Sequence, residues 1–413
     1  MIENIDKMNG WSIEELPNLV FFQEGPGVRN NQYTDSGVKL LNVANLKDGN
    51  VHLDNTDRYI SEEEAYGKYS HFLVDEGDLI IASSGIKVEY FDKKMGFAKK
   101  EHLPLCMNTS TIRFKTLDDT ILNIEYFAYF LKTNYFKKQI SRLITGSAQL
   151  NFGPSHLKQI KVILPPIDVQ KKIVEVLDKA QELIDKRKEQ IDVLDELVKS
   201  RFIEMFGDPI KNPKNLEKVY LKDISELITK GSSPNWQGIE YVEDESQTLF
   251  VTSENVREGY IDLSKKKYLM DEFNDKQKRS ILKKGDFLIN IVGASIGRAA
   301  QFNLDTKANI NQAVALVRIK KGLINDKYLL TYLNSPKALA MYESMQVSVA
   351  RANLSLQNIN DLEILLPQIE LQNEFAYFVK QVEKLKTKME TSLKELEDNF
   401  NSLMQKAFKG ELF

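Results

Sequence analysis

The 413-residue sequence predicts an α+β chain in which two duplicated mixed α/β units alternate with two long helices that form an antiparallel coiled coil. Three observations carry this. Each half begins with an apolar run and a turn, residues 40–49 (LLNVANLKDG) and 249–259 (LFVTSENVREG). Each half continues with Gly-Asp and an apolar strand, Gly77-Asp78-Leu79-Ile80-Ile81-Ala82 and Gly285-Asp286-Phe287-Leu288-Ile289-Asn290. Each then closes on a Leu-Pro opening to a heptad helix, Leu164-Pro165-Pro166-Ile167-Asp168-Val169-Gln170 and Leu366-Pro367-Gln368-Ile369-Glu370-Leu371-Gln372. The copies stay 202–210 residues apart throughout.

The first unit spans 1–166. Short β-type runs at 38–46, 78–82 and 109–115 lie between Gly, Asn and Asp turns. One helical stretch follows at 123–143, where Ile124, Phe127, Ala128, Leu131 and Phe136 recur near 3.6 spacing. A central coiled-coil helix occupies 167–208. Its residues Ile173, Leu177, Ala180, Ile184, Arg187, Ile191, Leu194, Val198 and Phe202 step by 4 and 3 in alternation. Pro165-Pro166 opens it and Gly207-Asp208-Pro209 stops it. The second unit, 209–367, repeats the first with runs at 248–256, 286–292 and 312–319 and helical segments around 326–343. A second coiled-coil helix fills 368–413, with Phe375, Phe378, Val382, Leu385, Met389, Leu393, Leu396, Phe400 and Leu403 on its seam. The one 4–4 step, 385–389–393, is an irregularity that local unwinding would absorb. The similar length of the two seams favours pairing of the helices over packing of each on its own unit. The chain path, one helix leading out of unit one and the other leading back, favours an antiparallel pair.

Composition narrows the function. Apolar residues make up 42% and charged residues 28%, and no stretch approaches the roughly 20 apolar residues that span a bilayer. The start lacks a signal-peptide pattern, and the single cysteine, Cys106, rules out an internal disulfide framework, so a cytoplasmic protein is expected. Net charge is −3, and even the more basic stretch, 211–367, carries only 22 Lys and Arg against 19 Asp and Glu. A chain that gripped nucleic acid alone would be basic; if this one binds DNA, partners supply part of the phosphate clamp.

Catalytic patterns are hard to find. The run 18–27 (NLVFFQEGPG) ends in Gly-x-Gly like an adenosylmethionine turn, but polar residues follow where a helix would have to start. Pro165-Pro166 follows Leu164, not the polar residue an amino-methyltransferase needs. Residues 293–298 (GASIGR) lack the spacing and lysine of a P-loop. His52, His71, His102 and His156 have no partner at metal-ligand spacing, and no catalytic or metal-binding residue is assigned.

What remains is loop chemistry suited to base edges, since Arg pairs with guanine O6/N7 and Asn or Gln with adenine N6/N7. Unit one offers Arg29, Asn30, Asn31 and Gln32, then Lys87, then Gln149 and Asn151. Unit two offers Ser233, Asn235 and Trp236 in 230–237 (KGSSPNWQ), then Arg298, Asn311 and Gln312. Its Arg351 and Asn353 stand opposite Gln149 and Asn151. Asn and Ser in loops also serve turns, and Gly77-Asp78 and Gly285-Asp286 read as turn residues before strands.

In their order and duplication these motifs resemble the specificity subunit of type I restriction–modification enzymes. The matching features are the two Leu-Pro openings, the two Gly-Asp strands, and in unit two 230–234 (KGSSP), 296–298 (IGR) and 311–313 (NQA). Unit one lacks a clear Ile-Gly-Arg counterpart near residues 83–87. The resemblance implies a non-catalytic DNA-reading subunit without a cofactor of its own. Units one and two would be target recognition domains, each reading one half of a bipartite, asymmetric site in double-stranded DNA. The helices would fix the separation of the halves and dock two methyltransferase subunits, which bring S-adenosylmethionine; restriction subunits can join such complexes. Two other readings compete: the recognition region of an enzyme with its own catalysis, and a coiled-coil scaffold with no DNA role.

Overall fold

The computed structural model describes residues 10–54, 56–144, 150–345 and 353–413, which divide into two compact units. The first comprises residues 1–187 and 392–413, the second 188–391. Neither unit stops at the proline that opens its long helix, because the helices supply apolar residues to both cores.

In the first unit a four-stranded antiparallel sheet runs in the order Val20–Glu24, Thr111–Thr116, Leu79–Ala82, Met95–Phe97. Leu79, Ile80, Ile81 and Ala82 are wholly buried, as the unbroken apolar run after Gly77-Asp78 requires of a strand covered on both faces. A second sheet pairs Leu105–Met107 parallel to Val38–Leu41. The stretch read as one helix over 123–143 is two, Ile124–Lys132 and Asn134–Leu143. Thr133 separates them in extended conformation, and its hydroxyl accepts from Phe136 N, capping the second helix. The helical cluster closes the core: Phe127 packs on Phe114, and Tyr126 stacks on Phe408 at 5.1 Å. Ile173, Val174 and Leu177 share this core with Met404 and Ala407.

The second unit repeats the plan. Its central sheet runs Ser225–Lys230, Val314–Ile319, Phe287–Asn290, Ala299–Gln301, and Thr248–Val251 lies parallel to Ala308–Ile310. The run read as 248–256 is a strand only to Val251, where Thr252 and Asn255 form a turn. Helices Asp326–Leu333 and Pro336–Ser344 are divided at Ser335, whose hydroxyl caps the second ahead of Pro336. Phe202 and Phe206 contact Tyr328 and Phe375 inside this core.

The long helices run Ile167–Phe206 and Ile369–Ala407. The duplicated glutamines at their starts are buried fasteners. Gln170 accepts from Asn123 N (2.9 Å) and donates to the Ile121 and Pro165 carbonyls (both 2.8 Å). Gln372 accepts from Asn325 N (2.8 Å) and donates to the Pro367 carbonyl (2.7 Å). Asn123 and Asn325 are the caps of helices Ile124–Lys132 and Asp326–Leu333, so the motif ties one helix start to another. Leu385, at the 4–4 step read from the sequence, is 43% exposed. At about 100° per residue, Leu385 falls roughly 60° to one side of Val382, whereas Met389 and Leu393 lie within about 20° of it.

Candidate nucleic-acid interface

Strand register gathers the polar loops of the first unit at one end. Ile112 pairs with Glu24 and Thr111 with Ala82, so the chain leaves Val20–Glu24 and Leu79–Ala82 where it enters Thr111–Thr116. Leu41 lies beside Met107, which runs straight into that same entrance. Asn108, 2% exposed, knots these loops together. Its Oδ1 accepts from Val28 N (3.2 Å) and Thr109 N (2.8 Å), and its Nδ2 donates to Asn42 Oδ1 (3.0 Å). A Cβ at Gly25 would collide with the Asn108 carbonyl oxygen, which explains the glycine. Asn151 pairs with Ser84, and Phe152 N donates to the Ser83 carbonyl, hooking this segment onto the loop after Ala82.

The second unit has the same arrangement. Lys230 pairs with Ala315, Asn290 with Val314 and Val251 with Ile310, so residues 231–239, 252–255, 291–298 and 311–313 emerge together. Gly231 is pressed against the Ile310 carbonyl as Gly25 is against Asn108. Asn353 bridges Val292, and Leu354 N donates to the Ile291 carbonyl. The knot differs: fully buried Asn290 donates to the Ser253 carbonyl (3.0 Å) and Ser295 Oγ (3.1 Å), whereas Ala82 holds that strand end in unit one. The first duplicated motif is explained too. Asn45 accepts from Asn42 N and donates to the His52 carbonyl; Asn255 accepts from Thr252 N and donates to the Asp262 carbonyl. These are loop staples.

Of the side chains picked from the sequence, Arg29, Asn30, Asn31, Lys87 and Asn151 are exposed at this end of the first unit. Asn235, Trp236, Arg298, Gln312 and Asn353 are exposed at the corresponding end of the second. Gln32 is turned inward, donating to Glu64 Oε1 and Tyr69 Oη (both 3.0 Å). Asn311 uses its Oδ1 on Ala313 N, and Ser233 is half-buried. Gln149 and Arg351 lie outside the described residues. His102 and His156 accept through Nδ1 from Lys99 N and Gly153 N, as satisfied turn residues.

The Gly-Asp motifs do more than turn the chain. Asp78 and Asp286 accept from Asp75 N and Lys283 N, but each also meets a strand arginine. Arg318 bonds Asp286 through Nε (2.8 Å) and Nη2 (2.7 Å), and Arg113 lies 3.4 Å from Asp78. Burial pushes the Asp78 carboxyl above its usual range, with Lys115 and Arg113 opposing the shift. Sequence reading missed both arginines; the signal was their repetition in the strand read as 109–115 and 312–319.

A family model for the type I restriction modification DNA specificity domain matches the chain twice, over residues 10–195 and 213–398. The chain belongs to that family. It thus carries two copies of the specificity domain, each covering one loop cluster and most of the long helix after it. The type I restriction enzyme EcoBI specificity subunit of Escherichia coli is 30% identical over 162 residues, 38% of this chain and 34% of the relative. The MjaVIII specificity subunit of Methanocaldococcus jannaschii is 26% identical over 169 residues, 40% of this chain and 38% of the relative. The chain therefore spans little more than a third of these two relatives. The EcoKI specificity subunit of Escherichia coli K12 is 23% identical across 98% of this chain and 89% of its own length. A solved structure from work on the "structural basis underlying complex assembly and conformational transition of the type I R-M system" has TM-score 0.61. It covers 98% of this chain and 99% of its own at 15% identity, a likeness of fold. Among the described residues of the specificity chain, no helix is long and apolar enough to cross a membrane.

Proposed function

We propose that this chain is the sequence-reading subunit of a type I restriction–modification complex in which each unit reads one half of a bipartite site in double-stranded DNA. The observation that carries the reading is the braced cluster of exposed Arg, Asn, Gln and Lys side chains at the same end of two copies of a DNA specificity domain. Side chains of these types read base edges in the major groove. The two clusters differ, with Trp236 where the matching turn of unit one has Asn31 and Asn290 where it has Ala82, so the half-sites differ.

The long helices pair as an antiparallel coiled coil that sets the spacing between half-sites. Two contacts support that direction: Ile173 and Leu177 share a core with Met404 and Ala407, while Arg201 pairs with Glu374 at 3.2 Å. The same helices dock two methyltransferase subunits, and the unpaired apolar side chains Val193 and Leu197, 57% and 44% exposed, suit such a partner. Catalysis and S-adenosylmethionine reside in those cytoplasmic partners, with restriction subunits joining them. The net charge of −3 fits a reader whose partners share the grip on phosphates.

The test is co-expression with methyltransferase subunits of a type I system, followed by methylation mapping of genomic DNA. The complex methylates a two-part sequence, and exchanging residues 10–166 for those of a relative changes only one part. Methyl transfer by the pure chain alone, or methylation without a two-part sequence, would overturn the proposal.

A further inference from the structure

Trp236 is the most exposed large apolar side chain among the described residues, at 76%. Its turn is nevertheless braced on every side. Pro234, buried, enters the turn Asn235–Gln237 with φ −61°, and Gly238 ends it in the left-handed region at φ +67°. Gln237 Nε2 donates to Ser232 Oγ (3.2 Å), and Lys276 Nζ donates to the Gln237 carbonyl (3.0 Å). Ile239, 4% exposed, anchors the far side among Phe250, Leu269 and Phe273. A pinned turn therefore holds an indole out in water, beside exposed Asn235 and at the end of the unit where residues 291–298 and 311–313 also emerge. A collapsed loop would bury such a side chain; a rigid one presents it to a partner.

We propose that Trp236 stacks on a base plane at one step of the half-site read by the second unit, a step the protein unstacks to admit it. This rests on the DNA-reading function proposed above. The indole offers no acceptor and a single N–H, so it is poorly suited to decoding base edges. Its flat apolar face suits an opened base step, as apolar wedges do in proteins that bend DNA. The selectivity it confers is for deformable steps rather than for one base. The equivalent turn of the first unit, Asn30–Gln32, carries Asn31 at this place, so the effect belongs to one half-site only.

The experiment uses the complex with its methyltransferase subunits and duplexes carrying 2-aminopurine at successive positions of each half-site. The wild-type complex should change 2-aminopurine emission at one step of the second half-site, where stacking on the neighbouring base is exchanged for stacking on the indole. Trp236→Ala should abolish that change and weaken binding roughly 5- to 150-fold, the worth of one base–aromatic stack. Trp236→Phe should keep most of both, which separates lost stacking from a misfolded turn. Trp236→Ala binding within twofold of wild type, or an unchanged emission profile, would overturn the inference. So would an equal loss on duplexes scrambled in the second half-site. A wild-type complex that binds all duplexes alike would instead sink the DNA-reading function, and this inference with it.

Discussion

Replacing Gln170 by leucine keeps the volume of the side chain but removes every polar atom that fastens the central helix to the first unit. Asn123 N and the Ile121 and Pro165 carbonyls each lose their bond, and Gln170 itself is fully buried. At about 1 kcal/mol per bond, and discounting Ile121, whose residue is exposed enough to bond water, the loss is roughly 2 kcal/mol. With a urea m-value of about 2–3 kcal/mol/M, that moves the midpoint of the first unit down by about 1 M. Because the two units need not unfold together, the assay is urea denaturation followed by hydrogen exchange read on peptides. Faster exchange should appear in 121–132 and not in 323–333, and Gln372→Leu should give the reverse pattern. Gln372 also makes two such bonds, so its loss is similar, about 2 kcal/mol. A midpoint shift below about 0.3 M, or exchange that rises equally in both units, would refute the view that these glutamines are local fasteners.

Three further outcomes are expected. Inserting one heptad between Glu189 and Gln190 keeps the seam aligned and adds about 10 Å of helix, so methylation mapping should show unchanged half-sites with a spacer about three base pairs longer. An active complex with the original spacer would mean the helices are not the ruler. Arg318→Met strands the Asp286 carboxylate, 1% exposed, and should cost the second unit about 3 kcal/mol in thermal or urea unfolding. Asp286→Asn added to it should recover part of that loss, and no recovery would argue against an uncompensated charge. Burial pushes the Cys106 thiol up to about 12, so it is protonated at pH 8 and should react with iodoacetamide only in denaturant; rapid labelling of the native chain would contradict that.

The duplication, the strand after each Gly-Asp, and both helix starts could be read directly, because apolar periodicity and proline act locally along the chain. Loop composition also marked the end of each unit where Arg29, Lys87, Arg298 and Asn353 emerge, since residues that cannot join a core end up in connections. Tertiary structure alone decided what each polar residue is for. Gln32 and Arg29 are near neighbours in the chain, yet Gln32 is turned onto Glu64 and Tyr69 while Arg29 is exposed. Asn290, ending an apolar run, ties two loops together, and Arg318 answers Asp286 across 32 positions. Which hydrogen-bonding groups are spent inside the fold and which remain for a partner depends on contacts between distant segments. A one-dimensional pattern encodes burial, but it does not encode pairing.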